Sequence, residues 1–221
     1  MLPGLAPALA YPLPDLQIGG TAFDGTTQTT YTFAACSIPH PPCEGRRVFA
    51  MIVGDLNGGS RSLSSATIGG VAAAIHALSS TLTAGATELA LVSAIVPTGT
   101  TAVVVPTFST TCDRALVRIA SAVGLKNASP TGTIAPVSAL SSSAALADIE
   151  DAIILCAASN RGSAGPSFTW TNATEFEDTT FDTNKTFSSA TVARVPQGET
   201  TRTITALATT GLGRLVGLSW R

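Results

Sequence analysis

The chain has 221 residues, a net charge of −2 and only 12% charged residues, about half of the ~25% in typical proteins. Its basic residues are scattered, apart from Arg46 and Arg47, so no basic stripe could follow a phosphate backbone, which argues against nucleic-acid binding. No apolar run reaches the ~20 residues that a membrane-spanning helix needs, so no membrane partner is expected either.

The first 24 residues predict an extended N-terminal arm. Prolines stand at positions 3, 7, 12 and 14, and proline fixes φ and lacks the amide donor of a sheet ladder. The segment lacks the basic region of a signal peptide and is too apolar for an ordinary disordered tail. Its large apolar side chains are Leu2, Leu5, Leu9, Tyr11, Leu13, Leu16 and Ile18. We expect them to dock on a neighbouring subunit, with packing on the chain's own sandwich as the alternative.

Residues 25–221 predict an all-β domain, a single antiparallel β-sandwich of jelly-roll type. Short apolar or alternating runs recur between Gly, Pro, Asn and Asp residues, a rhythm typical of a sandwich or barrel. The predicted strands are 29–35, 47–54, 63–69, 71–77, 88–96, 102–108, 114–120, 152–158, 167–171, 186–195, 200–208 and 214–220. The run 47–54 is apolar on both faces, which predicts a central strand. Pro106 predicts an edge position for 102–108.

Three local patterns complete the fold prediction. Gly69 and Gly70 indicate a tight turn, a bulge or a close backbone approach. Segment 141–151 could be a helix capped by Ser141, but a hairpin that turns near Glu150 and Asp151 is preferred. No internal repeat is evident along the chain.

The residues that could support catalysis lack the patterns that known reactions need, which predicts that the protein is not an enzyme. The chain has no G-x-S-x-G nucleophile elbow, and its two histidines, His40 and His76, are predicted to be structural. Glycoside hydrolysis needs two carboxylates that flank the sugar. The carboxylates of Glu175, Glu177, Asp178 and Asp182 are instead predicted to lie on a loop and a strand edge.

No metal or cofactor is expected. The segment at Asp55, Asn57 and Gly58 resembles the start of a calcium loop, but Ala66 stands where the loop needs a glutamate. The cysteines have no zinc-type spacing: Cys36, Cys43, Cys112 and Cys156. We expect buried free thiols, with a Cys36–Cys43 bridge as the alternative.

The two tryptophans, Trp170 and Trp220, are expected to pack in the core. Trp170 is also a candidate for stacking on a sugar ring, because aromatic rings combine an apolar face with a polar edge.

Several short motifs occur in a familiar order. TTYTFA at 29–34, RRVFA at 46–50, ATIGGVAA at 66–73, VPTGTT at 96–101 and FSSA at 187–190 are mainly turn and strand sequences. This series resembles a group of uncharacterised β-sandwich virion proteins that tailed phages and prophages of marine alphaproteobacterial type encode. The resemblance spans about residues 29–220 and brings no catalytic residues with it.

The resemblance implies a virion structural protein, made in the cytoplasm of a bacterial host. Capsid decoration is favoured over another head or tail role, with major capsid or tail proteins as partners and a homo-oligomer, for example a trimer, as the assembled state. A carbohydrate- or receptor-binding module of a tail fibre is the first alternative, and a hydrolase with a dispersed site is the second.

Overall fold

The structure, a computed structural model, describes residues 13–55, 62–79, 87–161 and 167–221, which form strands and turns without a helix. The first half contains β1 (Asp15–Asp24), β2 (Gln28–Thr30), β3 (Phe33–Ser37), β4 (Arg47–Asp55), β5 (Leu63–Ile68), β6 (Val71–Ala72), β7 (Ala74–Leu78), β8 (Thr87–Ile95), β9 (Thr101–Cys112) and β10 (Arg114–Val123). The second contains β11 (Gly132–Ala139), β12 (Ser141–Ala147), β13 (Ile153–Arg161), β14 (Phe168–Thr171), β15 (Thr174–Asp182), β16 (Lys185–Val192), β17 (Thr201–Ala208) and β18 (Leu212–Trp220). The all-β prediction is confirmed.

The strands form four antiparallel sheets rather than one sandwich, so the single-sandwich prediction is wrong. Sheet A has the order β1-β10-β4-β8-β7, and sheet B has the order β2-β9-β5-β6 with β3 also paired to β9. Sheet C has the order β11-β18-β13-β16-β15, and sheet D has the order β12-β17-β14. Three hydrophobic cores lie between B and A, between A and C, and between C and D. The sheets therefore stack as four layers, B-A-C-D.

The central strand β4 explains why two layers are not enough. Its residues Val48, Ala50 and Ile52 point into the core shared with sheet B. The alternate residues Phe49, Met51 and Val53 point into the core shared with sheet C. Successive side chains of a strand point to opposite faces, so a strand that is apolar on both faces needs a layer on each side. In sheet C, β13 divides its side chains between two cores in the same way.

The two halves of the chain repeat one strand order, which the sequence prediction missed. The second half has eight strands, and the first half has eight if β2–β3 and β6–β7 are each counted as one strand; the strands of each half are then numbered one to eight. Both inner sheets then have the order 1-8-3-6-5, while sheet B has the order 2-7-4-5 and sheet D 2-7-4. The inner sheets face each other in reversed order: β7 contacts β11 and β18, and Thr21 on β1 donates to Glu177 on β15 at 2.9 Å. A two-fold axis between the two inner sheets would produce this reversed order.

Pro106 lies in an interior strand, so its predicted edge position is wrong. Strand β9 has β5 on one side and β2 and β3 on the other. The amide of Tyr31, in the break between β2 and β3, donates to the Pro106 carbonyl at 3.0 Å. Because the nitrogen and carbonyl of one residue face the same neighbouring strand, the missing proline donor faces this break. The same break divides the predicted strand 29–35 in two.

Segment 141–151 begins with strand β12, not a helix, followed by a turn at Glu150 and Asp151. The preferred hairpin does not form, because β12 pairs with β17 in sheet D while β13 pairs with β16 and β18 in sheet C. The turn therefore carries the chain between layers. The predicted turn at Gly69 and Gly70 is confirmed, with φ of 60° and 79°.

The predicted arm, 1–24, ends within sheet A. Residues 1–12 lie outside the described residues, whereas Asp15–Asp24 form β1 and pair with β10. The prediction of an extended arm therefore applies only to the residues before β1.

Candidate interaction surfaces

The outward face of sheet B is uncharged. None of the residues in its strands is Asp, Glu, Lys, Arg or His. Val103 in the central strand β9 is 41% exposed. Farther along this strand, Val105 lies opposite Thr67 and Thr107 lies opposite Ser65. Charged residues are depleted from the cores of protein interfaces, and this face shares that lack of charge.

The outward face of sheet D carries rows of hydroxyl groups. Thr205 of β17 lies opposite Thr171 of β14 and Ser143 of β12, and the hydroxyls of Ser143 and Thr205 are 2.9 Å apart. Arg202 is the one charged residue in the strands of this sheet. Both outer layers therefore offer mainly uncharged surface.

Ion pairs instead join the two inner sheets. Lys185 at the start of β16 is 2.5 Å from Asp55 at the end of β4 and 3.3 Å from Asp182. Arg114 of β10 contacts Asp182 at 2.8 Å. Burial raises the pKa of Asp182, but the Thr183 amide and the two cations outweigh this effect and hold it below its ordinary value. The network connects the two halves.

An aromatic cluster lies elsewhere in the contact between sheets A and C. The Arg47 guanidinium lies 4.4 Å from the centre of the Trp220 ring, and His76 packs edge-on against that ring at 5.1 Å. His76 Nε2 is 2.8 Å from the hydroxyl of Ser93. Burial, and secondarily Arg47, lowers the pKa of His76. Trp220 is fully buried, which confirms its predicted place in the core.

Trp170, the candidate for sugar stacking, belongs to the contact between sheets D and C. Its indole nitrogen donates to the Ser188 hydroxyl at 2.8 Å, and its ring is tilted against Phe168 at 6.5 Å. The side chain is half-buried against the core between sheets C and D. Its position favours the packing role.

Only part of the predicted docking arm is described. Leu13 is 44% exposed, whereas Leu16 is 8% exposed and joins the core between A and C, with Ile18 packed against it. Strand β1 therefore turns Leu16 and Ile18 towards the core of their own chain, which is the alternative stated for the arm. The remaining members of the set lie outside the described residues: Leu2, Leu5, Leu9 and Tyr11.

A serine, a histidine and an aspartate meet near the start of β1. His40 Nδ1 lies 2.8 Å from the Ser121 hydroxyl, and His40 Nε2 lies 3.1 Å from an Asp15 carboxylate oxygen. The backbone amide of His40 also donates to Ser121. Ser121 is completely buried, so a substrate cannot approach its hydroxyl in this arrangement. The chain of contacts holds the loop before β4 against sheet A.

The carboxylates of 175–182 form part of β15 rather than a loop. Glu177 accepts from Arg118 at 2.9 Å, and Asp178 accepts from the Phe168 amide at 2.8 Å. Burial and the nearby Asp178 raise the pKa of Glu175. These contacts attach β15 to sheets A and D and explain the acidic run structurally.

The described residues contain no group of three or more His, Cys, Asp or Glu that could hold a metal ion. Asp55 of the calcium-like segment is in the ion network, and Asn57 and Gly58 lie outside the described residues. All four cysteines are free thiols. Cys43 is exposed while the others are buried, so neither the Cys36–Cys43 bridge nor the expectation that all four are buried holds.

No protein-family model matches the chain, and no curated protein matches its sequence. Within the described ranges, no helix is long and apolar enough to cross a membrane.

Proposed function

We propose that the protein is a non-enzymatic structural component of a tailed-phage virion, a capsid decoration protein or another head or tail accessory protein. The observation that carries this proposal is the uncharged outer face of sheet B. A protein that must be covered by neighbours benefits from such a face, because unpaired charges are expensive to bury. The opposite outer face, on sheet D, has the same general character.

We interpret each half of the chain as a small jelly roll. The repeated orders 1-8-3-6 in the inner sheet and 2-7-4 in the outer sheet support this interpretation. Jelly rolls are common in viral capsid and lectin domains. Since fold alone does not determine function, this likeness supports the proposal only together with the composition of the outer faces.

The proposed partners are major capsid or tail proteins and further copies of this chain, in a homo-oligomer such as a trimer. The virion is the proposed location, after synthesis in the host cytoplasm. We further propose that the apolar residues before β1, with Leu13 at their described end, dock on a neighbouring subunit.

A charge placed on sheet B tests the proposal. Val103→Lys puts an ammonium group at an exposed site in the middle strand, where the isolated domain should tolerate it. We expect the variant to keep its melting temperature but to lose association with purified particles, measured by co-sedimentation. Gln197→Lys, on an exposed turn outside sheet B, is the matched control and should associate normally. Normal association of Val103→Lys with particles would show that sheet B is not the contact surface. Absence of the natural protein from particles would refute the virion role.

Carbohydrate binding is the second candidate function, as expected for the receptor-binding part of a tail fibre. It is favoured by a separate feature, a polar groove at one end of sheets C and D.

A further inference from the structure

A groove of about 710 Å³ opens where sheets C and D meet. The turn between β14 and β15 forms one wall, and the loop between β16 and β17 forms the other. The polar residues that line it are Asn172, Thr174, Arg194, Glu199, Thr201, Arg202 and Thr203. Its volume lies within the ~300–1,000 Å³ of small-molecule sites.

The polar groups of this groove are held in place by one another. Glu199 accepts two bonds from Arg202, from Nε at 2.7 Å and from Nη2 at 2.7 Å. These bonds lower the pKa of Glu199 and raise that of Arg202. Arg202 Nη1 also donates to the Asn172 carbonyl at 3.3 Å. Such a bidentate pair is geometrically specific, so its remaining donor and acceptor positions point in fixed directions.

Asn172 fixes the opposite wall. Its φ is 64°, a left-handed conformation that is uncommon for a residue other than glycine and is found most often for Asn and Asp. Its side-chain nitrogen donates to the Thr203 carbonyl at 2.8 Å, which ties the β14–β15 turn to β17. The wall is therefore set before any ligand enters.

The groove combines balanced charge with hydroxyl and small apolar groups. Arg202 is paired with Glu199, and Arg194 is paired with Asp151 at 2.8 Å. An anion would have to compete with a carboxylate for either guanidinium. Ala173 and Val192 line the groove and pack against the core between C and D, so they supply a small aliphatic patch beside the polar groups.

We propose that this groove binds a neutral oligosaccharide. A sugar presents several hydroxyl groups and an apolar C–H surface, which match a rigid carboxylate–guanidinium pair beside small aliphatic side chains. The hydroxyl rows of sheet D begin at Thr203, a residue of the groove, and continue to Thr205 and Thr171. A chain of several sugar units could therefore continue from the groove along an uncharged face. This proposal rests on carbohydrate binding, the second candidate function above, and it does not depend on the virion role.

The test is an array of neutral and acidic oligosaccharides, followed by calorimetric titration of any sugar that binds. We expect neutral oligosaccharides to bind and acidic ones to bind no better. Arg202→Lys keeps the charge but removes the planar fork, and it should weaken binding by about tenfold or more, as expected for loss of a charge-assisted hydrogen bond. Thr203→Val should weaken it by a smaller factor.

Thr101→Val on sheet B is the matched control and should bind as the natural protein does, and the melting temperature of each variant establishes that it is folded. Absence of binding across the array would overturn the proposal, and so would a preference for acidic sugars. If a folded Arg202→Lys variant binds the sugar as tightly as the natural protein, the binding site is not this groove. Particle co-sedimentation is a separate measurement, so either proposal can fail without the other.

Discussion

The contact between the two inner sheets and the outward faces of the outer sheets differ in how they use charge. Between A and C, Lys185 and Asp55 are both buried and form an ion pair. The strands of sheet B contain no charged residue, and those of sheet D contain only Arg202. In most proteins the distribution is the reverse, because charged residues are rarely buried unless they are paired.

The difference separates two tasks. A buried ion pair is weak evidence for stability, but in some proteins it specifies one arrangement. Two apolar sheet faces alone could slide over each other, whereas the pairs Lys185–Asp55 and Arg118–Glu177 join particular strands across the two halves. We propose that the uncharged outer faces meet partners. If this view is correct, variants in the inner contact should affect folding and variants outside should affect association.

The largest effect is expected from Lys185→Met. The side chain is 1% exposed, and its removal takes the 2.5 Å partner from the buried Asp55 carboxylate and leaves the longer ion pair with Arg114 Nε at 3.7 Å. Breaking a buried pair by removing one partner costs about 3–5 kcal/mol. Urea unfolding should show a loss of that order.

The comparison variants are Val103→Lys on sheet B, which should change the free energy of unfolding by less than about 0.5 kcal/mol, and the double variant Asp55→Leu with Lys185→Met. Replacing both members of a buried pair by apolar residues is often neutral, so the double variant should recover part of the loss. Equal effects of Lys185→Met and Val103→Lys would contradict the division between inner and outer regions.

A smaller effect is expected from truncations in β13, which distinguish the core shared by the halves from a core within one half. Leu155 belongs to the core between A and C, and its neighbour Ile154 belongs to the core between C and D. Changing either to Ala should cost about 2–5 kcal/mol. Because the halves share a core, we expect one unfolding transition for both variants in calorimetry.

The opposite outcome would be two separated transitions in Ile154→Ala, with only the second half destabilised. That result would show that the halves unfold independently and that the contact between A and C contributes little. The matched pair controls for effects on the strand itself, since both residues are fully buried and adjacent in the same strand.

The predicted central strand 47–54 shows how much of this fold could be predicted from the sequence. Its apolar residues on both faces predict a central strand, and they form β4. The pattern requires a packed layer on each face of the strand. It does not indicate whether the second layer comes from the same half of the chain or from the other half. The local signal was therefore sufficient for the strand and not for the number of layers.

The repeated strand order had no sequence signal because corresponding strands share burial rather than residues. Strand β4 reads RVFAMIVGD and its counterpart β13 reads IILCAASNR, which are alike only in being apolar. The groove was missed for a different reason. Asn172, Arg194 and Arg202 belong to three separate segments, and only the pairing of β14 with β17 and of β15 with β16 brings them together.

The smallest expected effect is a pH dependence that arises from His76. This side chain lies in the contact between the halves, facing the Trp220 ring, the Ser93 hydroxyl and the charge of Arg47. Burial and Arg47 lower its pKa in the folded protein below the value of ~6.5 expected in the unfolded chain. Below pH 6.5 the unfolded chain therefore binds more protons than the folded one, so stability decreases as the pH falls through this range. The contribution of His76 to stability is fully present above about pH 6.5 and is lost progressively down to the folded pKa.

Urea midpoints at pH 7.5 and pH 5 should thus differ more for the natural protein than for His76→Gln, which can still bond to Ser93 but does not titrate. Carboxylates such as Glu175 titrate in both proteins, so the difference between them isolates the histidine. Identical pH dependence in the two proteins would show that His76 does not influence the contact between the halves.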